Sequence, residues 1–188
     1  MKRICVFCGS RIGNNPEYAE QAKRLGETLV KRGYGLVFGA GHIGLMGVLA
    51  DAVRNAGGET IGVIPRALVD RELADRNLTE LRIVETMHER KATMAELSDA
   101  FIAMPGGYGT LDETFEMLTW AQLGFHRKPI GMLNTAGYFD ALLAWIERAI
   151  VDNFVKEKNR ALLIVDNDVP KLVDRLSSFS ARTTTIER

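Results

Sequence analysis

Three short stretches of this 188-residue chain have the residue types and spacing for chemistry on a phosphorylated ligand. The first is Pro105-Gly106-Gly107-Tyr108-Gly109-Thr110, which lies between an apolar run and an amphipathic one. Successive glycines there permit φ > 0 and let backbone N–H groups converge, so the loop is expected to form an anion nest at a helix N-terminus, where the helix dipole reinforces it. No Lys-Ser or Lys-Thr pair follows, which separates it from a P-loop and from magnesium-dependent triphosphate chemistry. The second stretch, Leu111-Asp112-Glu113, has two readings. Thr110-x-x-Glu113 is the spacing of a capping box, in which Glu113 ties back to the helix start. Equally, a carboxylate one turn inside a phosphate-binding helix lies within reach of whatever the phosphate is attached to, and its charge beside a phosphate calls for an offsetting cation or for catalytic work. Candidate cations stand in the third stretch, Met87-His88-Glu89-Arg90-Lys91, which is either a solvated charged turn or two basic residues on the ligand-facing rim. His88 is read as a surface or capping residue.

Other patterns are weaker. Gly39-Ala40-Gly41-His42-Ile43-Gly44 satisfies G-x-G-x-x-G. In nicotinamide enzymes, however, that fingerprint belongs to the first strand, with an acidic residue closing the next strand about 20 positions later. Here the next strand ends at Ile64-Pro65-Arg66 and Glu59 precedes it, so these glycines are expected to serve a tight turn and close helix packing. Cys5 and Cys8 form a C-x-x-C on a strand, where residues three apart point to opposite faces with Cα atoms ~10 Å apart, too far to bridge. With no second cysteine pair, and with His42, His88 and His126 on separate segments, neither a metal nor a cofactor is expected.

The elements that must position these residues follow one rhythm of short apolar runs, Gly or Ser loops and longer amphipathic segments, which means β-α-β units. Strands are expected at Ile4–Cys8, Gly35–Phe38, Thr60–Ile64, Leu81–Val84, Ala100–Met104, Pro129–Leu133 and Leu162–Val165. Helices are expected at Pro16–Arg32, Gly44–Ala56, Glu89–Ser98, Thr110–Leu123, Tyr138–Asn153 and Val169–Ser177. Continuous apolar strands such as Phe101-Ile102-Ala103-Met104 indicate a sheet covered on both faces. The fold class is therefore α/β, a three-layer, Rossmann-like, doubly wound sandwich around a mostly parallel sheet of about seven strands. Ligands of such sheets bind beyond the carboxyl ends of the strands, where all three glycine-bearing exits lie.

One catalytic domain over residues 1–178 is expected, followed by a polar tail over 179–188. Lys plus Arg and Asp plus Glu both number 24, so no global field draws in nucleic acid or an anionic membrane, and any phosphate must be bound locally. The first apolar run ends at Gly9-Ser10, and no stretch approaches the ~20 apolar residues of a membrane span, so a cytoplasmic protein is expected.

The residues closely resemble the Lonely guy (LOG) family, cytokinin riboside 5′-monophosphate phosphoribohydrolases once often labelled lysine decarboxylases. The shared features are Cys8-Gly9-Ser10, Gly44-Leu45-Met46-Gly47, Pro65 with Arg71-Glu72, Met87-His88-x-Arg90-Lys91 and Pro105-Gly106-Gly107-Tyr108-Gly109-Thr110-x-x-Glu113, over about Ile4 to Asn134. Ala40 departs from the pattern, since many members have a third consecutive glycine there. The resemblance implies that Arg90 and Glu113 are catalytic and that Lys91 and the segment Gly107, Tyr108, Gly109, Thr110 hold phosphate and ribose. Ser10, Glu72, Leu111, Asp112 and Thr119 complete the implied substrate-binding set. The implied reaction is hydrolysis of the N-glycosidic bond of a nucleoside 5′-monophosphate, giving free base and ribose 5-phosphate. The base, adenine or an N6-isoprenoid adenine, depends on pocket shape. A homodimer is implied as well, with the helices around Met87–Ala95 and Leu111–Leu123 apolar enough to supply an interface. The rival reading is a non-catalytic nucleotide or pterin-cofactor carrier, which would keep the glycine nest and have no need of Glu113.

Overall fold

All but the third of the apolar strands are followed by a helix too long for a tight turn, so such a strand can pair with a later one only in parallel, through a crossover. The computed structural model, which describes residues 1–69, 75 and 77–179, is built of such units. Strands β1 (Arg3–Phe7), β2 (Gly35–Phe38), β3 (Thr60–Pro65), β4 (Glu80–Val84), β5 (Ala100–Ala103), β6 (Ile130–Leu133) and β7 (Leu163–Asp166) form one sheet in the order β4-β3-β2-β1-β5-β6-β7. All six pairings are parallel, so the sheet is wholly rather than mostly parallel. The strand order reverses between β1 and β5, and the crevice outside their carboxyl ends is the topological switch point at which such folds bind ligands.

The helices are α1 (Glu17–Lys31), α2 (Gly44–Asn55), α3 (Met87–Leu97), α4 (Tyr108–Gln122), α5 (Asp140–Val151) and α6 (Val169–Ser177). On one face, Leu25, Leu29, Leu49, Val53, Leu172 and Val173 from α1, α2 and α6 pack on Ile4, Val6, Leu36, Phe38 and Ile102. On the other, Met94 and Met117 from α3 and α4 pack on Cys5, Phe7, Val37, Ile61 and Phe101. Cys5 and Cys8 accordingly sit in different cores, both buried and both free.

Strand ends lie within one residue of the sequence expectation. Helix ends move by up to two residues: α3 begins at Met87 rather than Glu89, α5 covers Asp140–Val151 rather than Tyr138–Asn153, and α4 begins at Tyr108 rather than Thr110. Glycine's weak helix propensity made Gly109 read as loop, whereas the packing of the whole helix carries it in. Glu72, with Arg71, and the tail residues 180–188 lie outside the described residues. Among the described residues no helix is long and apolar enough to cross a membrane.

Candidate active site

The earlier start of α4 changes the roles of its first residues. Gly107 is the N-cap, with no side chain to cap the helix, and Thr110 is a buried residue inside the first turn. The capping-box reading of Glu113 therefore fails, because that box needs Thr110 at the N-cap. The first N–H groups of a helix have no partner within it, and here they belong to Tyr108, Gly109 and Thr110, beneath an N-cap that offers no oxygen.

The glycines of this loop do different things. Gly106 packs against the exit of β1: Gly9 N donates to Pro105 O at 3.0 Å, and a Cβ on Gly106 would lie 2.9 Å from Gly9 N and collide with the Thr110 hydroxyl. Around Gly107 and Gly109, by contrast, a Cβ would meet nothing within 4 Å. Nor do they need left-handed backbone. Gly107 has φ −97°, and none of the three is among the positive-φ residues, which corrects the expectation that the nest is built on φ > 0. Neither conformation nor packing explains Gly107 and Gly109; an open, side-chain-free surface over helix N–H groups is what they supply.

Arg90 stands on the first turn of α3, which Thr86 caps by accepting from Glu89 N at 3.0 Å. Although 5% exposed, its guanidinium is well supplied: Nε donates to Val63 O at 3.1 Å and Nη2 to Gly39 O at 2.9 Å. A Cβ on Gly39 would collide with that guanidinium, so Gly39 is a glycine to seat Arg90. Gly44, at φ 65°, lies against the Ser10 carbonyl, and Leu45 N donates to Gly9 O at 3.0 Å. The G-x-G-x-x-G thus serves turn and packing, as expected. Ala40 takes the left-handed conformation at φ 64°, a conformation that favours glycine.

Glu113 lies one turn beyond Thr110 and is partly exposed. Its charge and that of Arg90 are both felt at Cys5 of β1. Burial pushes the Cys5 thiol well above its usual range, with the Glu113 carboxylate adding to the shift and the Arg90 guanidinium opposing it. Cys8 is raised by burial and by Glu113 in the same way. The charges carried on α3 and α4 thus both reach β1, the strand whose exit packs against the glycine loop.

Lys91 turns elsewhere. Its Nζ lies 3.0 Å from Asp112 Oδ2 and 3.0 Å from Glu116 Oε2, clamping α3 to α4, and the ammonium is 8% exposed. Burial lowers its pKa, but the hydrogen bonds it donates to Glu116 and Asp112 outweigh that and leave it raised. Ser10 is exposed at the mouth of the crevice, and Tyr108, 94% exposed, stands over the loop. Leu111 packs away from the crevice on Ala103, Met132 and Phe139. Thr119 is about 14 Å farther along α4 than Thr110 by helical rise. There its Oγ1 donates to Phe115 O at 2.7 Å, and it lines an apolar groove of about 330 Å³ between α4 and α5 with Phe115, Leu118, Trp145 and Ile150. The groove and the side chains that build it did not stand out in the sequence.

Comparison with known proteins bears on this site. The family model described as "possible lysine decarboxylase" matches residues 46–176. A probable cytokinin riboside 5′-monophosphate phosphoribohydrolase of Oryza sativa subsp. japonica is 50% identical over 95% of this chain and 78% of its own length. A cytokinin riboside 5′-monophosphate phosphoribohydrolase of Arabidopsis thaliana is 48% identical over 96% of this chain and 85% of its own. Among solved structures, a molybdenum cofactor binding protein from Rippkaea orientalis superposes with a TM-score of 0.71 at 21% identity, covering 95% of this chain and 97% of that one. The molybdenum cofactor carrier protein of Chlamydomonas reinhardtii gives 0.69 at 21% identity, over 95% and 99%. At that identity these two structures share the fold alone.

Proposed function

Because the chain belongs to the cytokinin riboside 5′-monophosphate phosphoribohydrolase family, we propose that its crevice hydrolyses the N-glycosidic bond of an adenine-type nucleoside 5′-monophosphate. The observation that carries this reading is the bare N-terminus of α4, the helix that carries Glu113, with Gly107 and Gly109 glycines that no packing contact or positive φ explains. The 5′-phosphate seats on the N–H groups of Gly107, Gly109 and Thr110, which sets the ribose over Glu113. As the bond from C1′ to the base nitrogen breaks, positive charge develops on the ribose, and the Glu113 carboxylate stabilises it or orients the attacking water. Water supplies the new C1′–O bond and its proton ends on the leaving base. Arg90, fixed by two backbone carbonyls, holds its guanidinium for Glu113 or ligand oxygens.

The older description of the family does not fit the site. A Schiff-base lysine needs a lowered pKa, and that of Lys91 is raised between two carboxylates. Lys91 and Asp112 serve the substrate in this reading by holding α4 against α3. AMP is a substrate alongside N6-isoprenoid AMP, and the protein is a homodimer closed over the α4–α5 groove. The carrier reading has only the 21%-identical folds behind it.

The test is release of free base from AMP, N6-isopentenyl-AMP and adenosine, with Glu113→Gln as the paired variant. Base is expected from the monophosphates alone, with turnover lost by at least about a hundredfold in Glu113→Gln while ribose 5-phosphate still binds. Monophosphate binding without base release would leave a carrier.

A further inference from the structure

The phosphate site proposed above depends on the direction of one peptide group, and the structure shows what fixes it. Three consecutive carbonyls lead into α4. Pro105 O accepts from Gly9 N at 3.0 Å, and Gly107 O accepts from Leu111 N at 3.2 Å, so the peptides on either side are held by backbone. The middle one, between Gly106 and Gly107, is held by a side chain: Tyr138 Oη donates to Gly106 O at 2.6 Å. A trans peptide is planar, with its N–H directed opposite to its C=O, so a carbonyl drawn towards Tyr138 sends the Gly107 N–H the other way, to the open side of the loop. A peptide between two glycines meets less steric resistance to rotation than any other. Turned over, it would offer the phosphate a carbonyl oxygen where the nest needs a donor.

We infer that Tyr138 is a positioning residue for phosphate recognition, fixing the Gly106–Gly107 peptide with its N–H towards the anion. The segment that delivers it is built to hold still. The short turn Thr135–Gly137 carries Ala136 at φ 52° and Gly137 at φ 70°. Such a conformation persists at an alanine only where its surroundings over-determine it. Here they do: Asn134 Oδ1 accepts from Phe139 N at 2.8 Å while its Nδ2 donates to Asp140 Oδ1 at 2.7 Å. The Tyr138 ring packs edge-on against Tyr18 and Phe139, at centroid distances of 5.6 and 4.9 Å. Tyr138 is 44% exposed, so its hydroxyl is not a buried group in need of a partner, and the ring contacts would survive its removal.

The inference rests on the anion-binding reading of the loop, and its test uses a readout independent of turnover. Tyr138→Phe keeps the ring and deletes the hydroxyl. Affinities for inorganic phosphate and ribose 5-phosphate, measured by titration calorimetry, are expected to weaken by about three- to tenfold, the range for one neutral hydrogen bond. KM for the monophosphate should rise in step, with kcat changed by less than about twofold. An unchanged phosphate affinity, with or without a lower melting temperature, would make the hydroxyl a purely structural tie and overturn the inference. So would a wild-type protein that binds neither anion. If wild type binds phosphate but releases no base, the proposed hydrolysis fails, and the Tyr138→Phe affinity still decides this point.

Discussion

At Gly107 and Gly109 the interests of the fold and of the ligand separate. Alanine meets no atom at either place; inside the helix Gly109→Ala also reduces the freedom of the unfolded chain and is expected to raise stability by up to about 1 kcal/mol, whereas Gly107→Ala gives up the N-cap preference for glycine and is expected to gain nothing. The same methyl stands where a phosphate must approach backbone, so both should weaken phosphate binding. Gly106→Ala, which meets the Thr110 hydroxyl, should destabilise the fold by about 1–3 kcal/mol. Urea unfolding and phosphate titration on the three variants would check the contrast, and a destabilised Gly109→Ala would show a packing role instead. Arg90, Glu113 and the loop stood out in the sequence because they follow the strand exits at Val84 and Ala103. The engagement of Lys91 with Asp112 and Glu116 did not, because neighbours on a helix diverge by about 100° and their partners depend on how α3 meets α4. Tyr138 stayed hidden for a similar reason: it reaches Gly106 from 32 residues away, and the sequence marks it only as the opening of a helix.

Among the elements, α4 is tied down past its carboxyl end as well. His126 lies 3.0 Å from Met117 O through Nε2, and its Nδ1 accepts from Lys128 N at 3.1 Å. Lys128 Nζ in turn donates to Ala95 O at the end of α3, at 2.7 Å. Only a neutral imidazole protonated on Nε2 satisfies both ring contacts, and burial, with Lys128 adding, holds the His126 pKa below its ordinary value despite the Met117 carbonyl. The unfolded chain therefore takes up the proton first. Stability from this group is complete above about pH 6.5 and is lost as pH falls from there through the lower folded value. In His126→Gln the decline in urea midpoint between pH 7 and 5 should be shallower than in wild type; parallel curves would clear His126 of the effect. Periodicity located nearly every element, since apolar strands and amphipathic helices obey different repeats. It misplaced the start of α4 because a functional glycine in the first turn looks like a loop.

For the molecule as a whole, the doubly wound order could be read from the alternation of strands and helices, and the switch between β1 and β5 agrees with the glycine-bearing exits. The α4–α5 groove could not, because its lining comes from elements far apart in sequence. Trp145, 58% exposed, stacks edge-on with Phe115 at 6.1 Å on this groove. For the proposed homodimer, Trp145→Glu puts an unpaired charge on the interface while costing the monomer little, and sedimentation should shift from a two-chain to a one-chain species. A variant that sediments like wild type would move the interface elsewhere. The parallel pairing of β1 with β5 has a consequence in time. Ile4 must wait for Ala100, roughly a hundred residues later, before the middle of the sheet can close, and contacts that distant form slowly. A chain emerging from the ribosome carries β1 with one edge unsatisfied for over half of its synthesis, exposed to stray strand pairing. The anion nest, which begins only after β5, cannot take shape until that closure is made.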